Sequence, residues 1–115
     1  MTTSTVKYLG ELRCNNIHTR SGSEILTDAP TDNRGKGSTF SPTDLLATSL
    51  ANCMLTVMGI KAMDKGWDIE GTYAEVIKEM ASDPRRVAAI RIKMVLPEGD
   101  WSQDQKKILE QTAIH

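Results

Sequence analysis

The sequence predicts an α+β fold, in which strands gather before and after one long helix instead of alternating with helices. Residues 40–66, FSPTDLLATSLANCMLTVMGIKAMDKG, carry helix signals at both ends. Residues 86–96 alternate between apolar and polar side chains, as in a strand with one solvated face. The predicted order is three strands, the long helix, two strands and a second helix. We therefore expect mainly antiparallel sheets around a buried central helix.

The long helix has a predictable start and end. Ser41 suits the N-cap, Pro42 the first helical position, and Asp44 follows the cap by three residues. Gly66 suits the left-handed residue that ends a helix. The stretch 45–60 contains no charged residue, which is typical of a membrane span or of a buried core helix. Since this stretch is shorter than the roughly 20 residues that a bilayer requires, we predict the core helix.

The other elements follow from local patterns. Asn15 and Asn16 predict a turn, whereas Ser102 and Gln105 predict a capping box that opens the second helix. The predicted strands cover residues 4–13, 17–20, 24–27, 67–80 and 86–96. The apolar face of the last strand is predicted to carry Ala88, Ile90, Ile92, Met94 and Leu96.

Composition excludes several functions. The chain has 115 residues, 25% of them charged, and a net charge of −1 without basic clusters, so neither nucleic acid nor a membrane surface is an expected partner. The N-terminus lacks the apolar segment of a signal peptide, which favours the cytoplasm. Cys14 and Cys53 form no CxxC or metal-binding pattern, and His18 and His115 lack ligand-spaced partners. We therefore expect neither a disulfide nor a metal site.

The extent of the domain and its assembly are also predictable. We expect residues 1–115 to form a single domain, and because the sequence stops at His115 within the second helix, we expect it to lack its C-terminal part, namely the rest of that helix and a last strand. A helix that is apolar on all faces needs cover on all faces, which one small sheet does not provide. We therefore predict a homodimer.

Cys53, near the middle of the long helix, has two interpretations. A helical cysteine among apolar residues is most often an inert core residue. Reactivity requires a thiolate, and the helix dipole gives little help so far from the helix end. A cation must then come from another part of the fold, and the candidates are Arg20, Arg34 and Lys36.

Three segments resemble the OsmC/Ohr family, the osmotically inducible and organic hydroperoxide resistance proteins. They are FSPTDLLATSLANCML, the preceding LTDAPTDNRGKG, and MASDPRRVAAIRI. The resemblance, to a branch distinct from the best-known hydroperoxidases, implies an intertwined homodimer with active sites at the subunit interface. It also implies a thiol peroxidase in which Cys53 attacks an organic hydroperoxide and Arg20 activates the thiolate. No cofactor is implied, only an external thiol or dithiol reductant.

The sequence departs from the family pattern in two places. Thr43 occupies the position of a glutamate that orients the arginine in relatives, and Asp44 follows it about 100° further around the helix. Both are candidate orienting residues. No cysteine matches the family's resolving cysteine. The predicted apolar walls of the substrate pocket are Leu45, Leu46, Leu50, Met54 and Met58.

Two other functions stay open. One is a non-catalytic dimeric protein that binds a small apolar molecule in the same fold. The other is a thiol-transfer or hydrolytic enzyme that uses Cys53 on a different substrate. A Cys53 that reacts with hydroperoxide distinguishes the peroxidase from both.

Overall fold

The computed structural model describes residues 1–114, which form two antiparallel sheets and two α-helices. The predicted α+β class and order of elements are confirmed, with one added 3-10 turn. The elements are β1 (Ser4–Gly10), β2 (Arg13–His18), β3 (Glu24–Asp28), the 3-10 turn (Thr31–Asn33), α1 (Pro42–Lys65), β4 (Tyr73–Ala81), β5 (Arg86–Val95) and α2 (Gln103–Ile114). The chain divides into two compact units, of which the second begins at Ala47.

The first unit contains a three-stranded sheet in the order β1-β2-β3. Its first turn lies at Glu11 and Leu12, whose φ angles of 55° and 64° are left-handed. The predicted turn at Asn15 and Asn16 was wrong, because both residues lie inside β2. The Asn15 side chain donates to the first residue of β3 at 3.0 Å, and the Asn16 side chain to a β3 carbonyl at 2.9 Å. These cross-strand bonds satisfy amides that would otherwise favour a turn.

The segment between β3 and α1 is tied back to the sheet. The backbone N–H of Asp28 donates to Phe40, and that of Ala29 to Leu12. Gly35 lies so close to Ala29 that a Cβ at position 35 would come within 1.7 Å of the Ala29 carbonyl oxygen. A side chain at position 35 is therefore incompatible with this path of the backbone.

Both predicted ends of α1 are confirmed. Ser41 Oγ accepts from the Asp44 N–H at 3.0 Å, and Asp44 Oδ2 accepts from the Ser41 N–H at 3.1 Å, which is a complete capping box. Gly66 has a φ of 72° and donates to Met63, while the next residue donates to Ala62. This pair of bonds is the Schellman motif.

β4 begins at Tyr73, six residues later than the predicted start of its strand at Trp67. The Trp67 N–H is used in closing α1, and the Thr72 N–H donates to the Ile69 carbonyl at 3.0 Å. Asp68 Oδ1 accepts from the N–H two residues on. Residues 67–72 therefore form helix-end and turn hydrogen bonds. Their N–H groups do not take part in the ladder of a β-sheet.

α1 buries one face within the chain and exposes another. The buried residues of the helix are Ala47, Ala51, Met58 and Ala62. Its exposed apolar residues include Leu46 (58% exposed), Leu50 (43%), Ile60 (56%) and Met63 (81%). The single chain thus covers one face of the helix, and cover of the other faces by a second copy stays a prediction. By length and composition alone the helix would suit a membrane span, a test that core helices of soluble proteins also pass.

The second unit contains the β4–β5 hairpin and α2. Val76 pairs with Ile92, but a bulge makes Met80 pair with Val87 and leaves Ala88 unpaired. Ala88 is exposed, so its predicted place on the apolar face was wrong, and half-buried Val87 is the paired residue there. The predicted capping box of α2 is present, since Ser102 and Gln105 bond each other reciprocally. Leu109 of α2 is 1% exposed and anchors the helix.

Candidate functional site

Cys53 lies at the middle of α1 and is exposed in the single chain. At spacings of three and four residues, Leu50, Cys53, Val57 and Ile60 share one side of the helix. We call these four residues the Cys53 stripe. Its members are exposed or half-buried, and the stripe faces away from the buried alanine face. In the single chain the thiol is therefore exposed within this row of apolar side chains.

Two polar side chains in the middle of α1 are satisfied by the helix itself. Asn52 Nδ2 donates to the Thr48 carbonyl at 2.9 Å, and Thr56 Oγ1 donates to the Asn52 carbonyl at 2.8 Å. Such bonds to the preceding turn let polar side chains occur in an apolar helix without external partners. These residues thus need no other role.

Arg20 lies at the tip of the β2–β3 hairpin, in the first unit. The tip is held by a short network: His18 Nδ1 and Ser21 Oγ are 2.6 Å apart, and Ser21 Oγ donates to Ser23 Oγ at 3.0 Å. The Arg20 side chain is exposed and forms no hydrogen bond or ion pair with residues 1–114. It is available to a partner, and its role as activator of Cys53, which belongs to the second unit, stays a prediction.

A buried carboxylate that sequence analysis did not single out lies at the end of β3. Asp28 is 0% exposed, and its Oδ2 accepts from Ser38 Oγ at 2.5 Å and from the Ser38 N–H at 3.1 Å. The Arg13 guanidinium lies 3.7 Å from the same oxygen and donates to Ser38 Oγ at 2.8 Å. We call Arg13, Asp28 and Ser38 the Asp28 cluster. The Ser38 bonds, with a smaller contribution from Arg13, hold the pKa of the Asp28 carboxyl below its ordinary value of 3.8.

The Asp28 cluster joins strand and loop. Asp28 Oδ1 is buried and accepts no hydrogen bond from the described residues. The cluster depends on the register that pairs Arg13 with Asp28 across β2 and β3, and on the return of the loop at Ser38. No local sequence pattern encodes that register, although Asp28 does belong to the family-like segment LTDAPTDNRGKG.

Three of the other sequence candidates, Thr43, Asp44 and Lys36, form contacts with described residues. Asp44 closes the capping box, and Thr43 Oγ1 lies 3.3 Å from Ser41 Oγ in the same cap. Lys36 Nζ lies 3.5 Å from an exposed Glu11 carboxylate. Arg34 is exposed, with a left-handed φ of 70°. An orienting role for Thr43 and Asp44 stays a prediction.

An apolar cavity of about 680 Å³ lies in the second unit, among α1, β5 and α2. Of the predicted pocket residues, Met54 and Met58 line it, while Leu45, Leu46 and Leu50 do not. Its lining residues are Met54, Met58, Ile92, Met94, Val95, Leu96, Pro97, Trp101, Lys106, Leu109, Glu110, Ala113 and Ile114. Cys53 is not among them. Within residues 1–114, no three His, Cys, Asp or Glu side chains are grouped so as to hold a metal ion.

The chain is a two-helix α+β protein with an exposed helical cysteine, and residues 35–114 match the family model described as OsmC-like protein. The chain belongs to this family of OsmC-like proteins, as its sequence resemblance predicts. A solved structure from Psychrobacter arcticus 273-4, provisionally named an osmotic stress induced and detoxification response protein, is 56% identical. It superposes with a TM-score of 0.95 over 99% of this chain and 82% of that one.

More distant structures share the fold. The organic hydroperoxide resistance protein OsmC of Legionella pneumophila is 16% identical, with a TM-score of 0.68 over 98% of this chain and 82% of that one. An OsmC-like protein of unknown function from Vibrio cholerae is 13% identical, with a TM-score of 0.69 over 99% and 86%. No curated protein matches the chain. Family and fold are thereby established.

Proposed function

We propose that this protein is a thiol-dependent peroxidase that reduces organic hydroperoxides in the reducing cytoplasm, as part of defence against oxidative stress. The observation that carries the proposal is the exposed Cys53 at the centre of the apolar Cys53 stripe, on the helix covered by the family match. A thiol beside apolar side chains suits attack on a hydroperoxide that carries an apolar group.

The reaction balances as follows. The Cys53 thiolate attacks the outer peroxide oxygen, an S–O bond forms and the O–O bond breaks, so sulfur is oxidised by two electrons. The leaving alkoxide takes a proton and departs as an alcohol, and the sulfur becomes a sulfenic acid. An external thiol then forms a mixed disulfide with release of water. A second thiol equivalent restores Cys53.

Arg20 is the proposed cation that stabilises the thiolate and the developing alkoxide. Its guanidinium carries several donors at fixed geometry, and no described residue within 1–114 occupies it. In the proposed homodimer, the Cys53 stripe meets a second copy, because a row of exposed apolar residues on a 24-residue helix is unfavourable in water. The active site would then lie at this interface.

The test is a single-turnover reaction of the reduced protein with one equivalent of cumene hydroperoxide. We expect the mass to increase by one oxygen, and dimedone to trap the sulfenic acid as an adduct at Cys53. Both changes should be absent in Cys53→Ser and present in Cys14→Ser. Arg20→Ala should slow the reaction strongly, whereas Arg34→Ala, which removes another exposed arginine of the first unit, should not. A Cys53 that stays reduced after prolonged exposure contradicts the proposal.

A non-catalytic binding protein is the second candidate. The cavity of about 680 Å³ favours it, since Cys53 does not line this space. A protein of this kind would bind an apolar molecule with the same affinity before and after alkylation of Cys53, and would not consume hydroperoxide. Turnover of hydroperoxide with a thiol reductant distinguishes the two candidates.

A further inference from the structure

A hollow of about 220 Å³ lies in the second unit, between the end of α1 and the loop that leads to α2. We call it the tryptophan hollow, and its lining residues are Trp67, Asp68, Gly99, Asp100, Trp101 and Gln105. It holds both tryptophans of a sequence in which aromatic residues make up only 4%. Since sites for drug-sized molecules measure ~300–1,000 Å³, this hollow has room for a small group only.

Hydrogen bonds hold the two tryptophans in place. The Trp67 N–H donates to the Ala62 carbonyl at 2.8 Å, which ties this residue to the end of α1. The Trp101 Nε1–H donates to the Pro97 carbonyl at 2.9 Å. A Cβ at Gly99 would lie 3.5 Å from the same nitrogen, so the loop backbone lies against the indole. Both tryptophans are half-buried, and walls held in this way need little ordering when a ligand binds.

The charge of the hollow is negative. Asp68 and Asp100 line it, and no lysine, arginine or histidine among residues 1–114 does so. Asp68 Oδ1 accepts from the Glu70 N–H at 2.9 Å, whereas Asp100 forms no hydrogen bond or ion pair within residues 1–114. Gln105 is neutral, and its Oε1 is already used in the capping box of α2. A positively charged group is therefore favoured in the hollow, and an anion is disfavoured.

Two indoles beside two carboxylates suit an organic cation better than a metal ion. Calcium and magnesium ions take six or more oxygen ligands, and no group of three potential ligands to a metal occurs within residues 1–114. An indole attracts a cation through its ring quadrupole more strongly than any other aromatic side chain does. A primary ammonium group is strongly hydrated, whereas the methyl groups of a quaternary ammonium can contact aromatic rings directly.

We propose that the tryptophan hollow binds a small, free quaternary ammonium cation, whose methyl groups pack against the two indoles while the two carboxylates balance its charge. Cys53 does not line the hollow, so binding needs neither the thiol nor a hydroperoxide. The site is therefore independent of the proposed peroxidase activity. It is also distinct from the larger cavity among α1, β5 and α2, with which it shares Trp101 alone.

The test is a titration of the whole protein with choline chloride, followed by tryptophan emission and by calorimetry. Sodium chloride is exchanged for choline chloride so that the ionic strength stays constant. The matched ligand is 3,3-dimethyl-1-butanol, which has the shape of choline with a carbon atom in place of the charged nitrogen. We expect choline to change the emission saturably, and the neutral alcohol to bind about tenfold more weakly or not at all.

Two pairs of variants locate the site. Trp67→Leu should weaken choline binding about fivefold, whereas Trp67→Phe, which keeps an aromatic ring, should weaken it less. Asp100→Asn should weaken choline binding about threefold. Asp104→Asn changes an exposed carboxylate of α2 that does not line the hollow, and it should bind choline as the natural sequence does. Circular dichroism checks that each variant is folded.

Three results would overturn the proposal. They are an emission that choline does not change saturably, a neutral alcohol that binds as tightly as choline, and equal affinities in the two aspartate variants. The alcohol is compared on the natural sequence, so this result does not depend on the folding of any variant. A trimethyllysine peptide that binds far more tightly than choline would also overturn it, since the hollow would then recognise a methylated protein.

Discussion

Arg13 and Asp28 are paired across the β2–β3 ladder, and their side chains approach to 3.7 Å where Ser38 of the loop reaches the same carboxylate. A strand pair and the loop that leads to α1 thus share one buried charge. The partly exposed guanidinium and the two Ser38 bonds compensate for burial of the carboxylate, because buried charges require partners.

Asp28→Asn should destabilise the fold. An amide at position 28 loses the charge that Arg13 faces and presents the serine with a weaker acceptor. We expect a melting temperature several degrees lower, measured by circular dichroism. Asp100→Asn, at an exposed loop carboxylate, is the control and should melt like the natural sequence. Equal melting of the two variants would mean that the Asp28 cluster contributes nothing to stability.

The same carboxylate should make stability depend on acid pH. Since Ser38 lowers the pKa of Asp28 in the folded state, the unfolded chain takes up this proton at a higher pH than the folded chain. The stabilisation is complete above the ordinary value of 3.8 and is lost as pH falls through the lower folded value. Urea unfolding from pH 5 to pH 2 should therefore show a steeper loss for the natural sequence than for Asp28→Asn. Parallel profiles would contradict the assignment.

The two capping boxes should contribute differently to the free energy of unfolding. Ser41→Ala should lower the free energy of unfolding by about 1–2 kcal/mol, because it removes the N-cap hydroxyl that accepts from the Asp44 N–H, and Ser41 is buried. Ser102→Ala removes the same bond at an exposed helix end and should cost about 0.5–1 kcal/mol. Chemical unfolding of both variants measures the difference. The reverse order would contradict the burial of Ser41.

Gly59 inside α1 and Gly66 just after its end should respond oppositely to alanine. Gly59 lies inside the helix, and a Cβ there would meet no described atom within 4 Å, so Gly59→Ala should stabilise by about 0.8–1 kcal/mol. Gly66 has a φ of 72°, and Gly66→Ala should destabilise by about 1–2 kcal/mol. Unfolding free energies give both values. A loss of stability in Gly59→Ala would indicate that another surface packs closely against that turn.

A charge on the Cys53 stripe should disrupt the proposed homodimer. Ile60 is 56% exposed in the single chain, and a glutamate there would be buried without a partner if the stripe meets a second copy. Ile60→Glu should therefore sediment as a monomer. Asn52→Glu, on another side of α1, should sediment like the natural sequence. A monomer in all three cases would contradict the dimer.

Local signals predicted the parts of the fold that local chemistry decides. The caps at Ser41 and Ser102 and the end at Gly66 need partners only within one helical turn, and all three were predicted correctly. The turn at Asn15 and Asn16 was wrong because cross-strand acceptors satisfy both amides. The bulge at Ala88 was missed because it depends on the register of two strands.

The candidate site divides in the same way. Cys53 could be found because its helix carries a family pattern over consecutive residues. The Asp28 cluster could not, because it joins residues 13, 28 and 38 through strand pairing and a loop return. The apolar faces of α1 that the single chain leaves exposed agree with the expectation that one small sheet covers only one face, and their cover by a second copy stays a prediction.

The contact of Gly35 with Ala29 has a consequence for how the gene can vary. A Cβ at position 35 would overlap the Ala29 carbonyl oxygen at 1.7 Å, so even the smallest side chain displaces the loop. Every glycine codon becomes a codon for another residue, or a stop, when its first or second base changes. Only changes in the third base of codon 35 therefore keep the glycine that this loop requires.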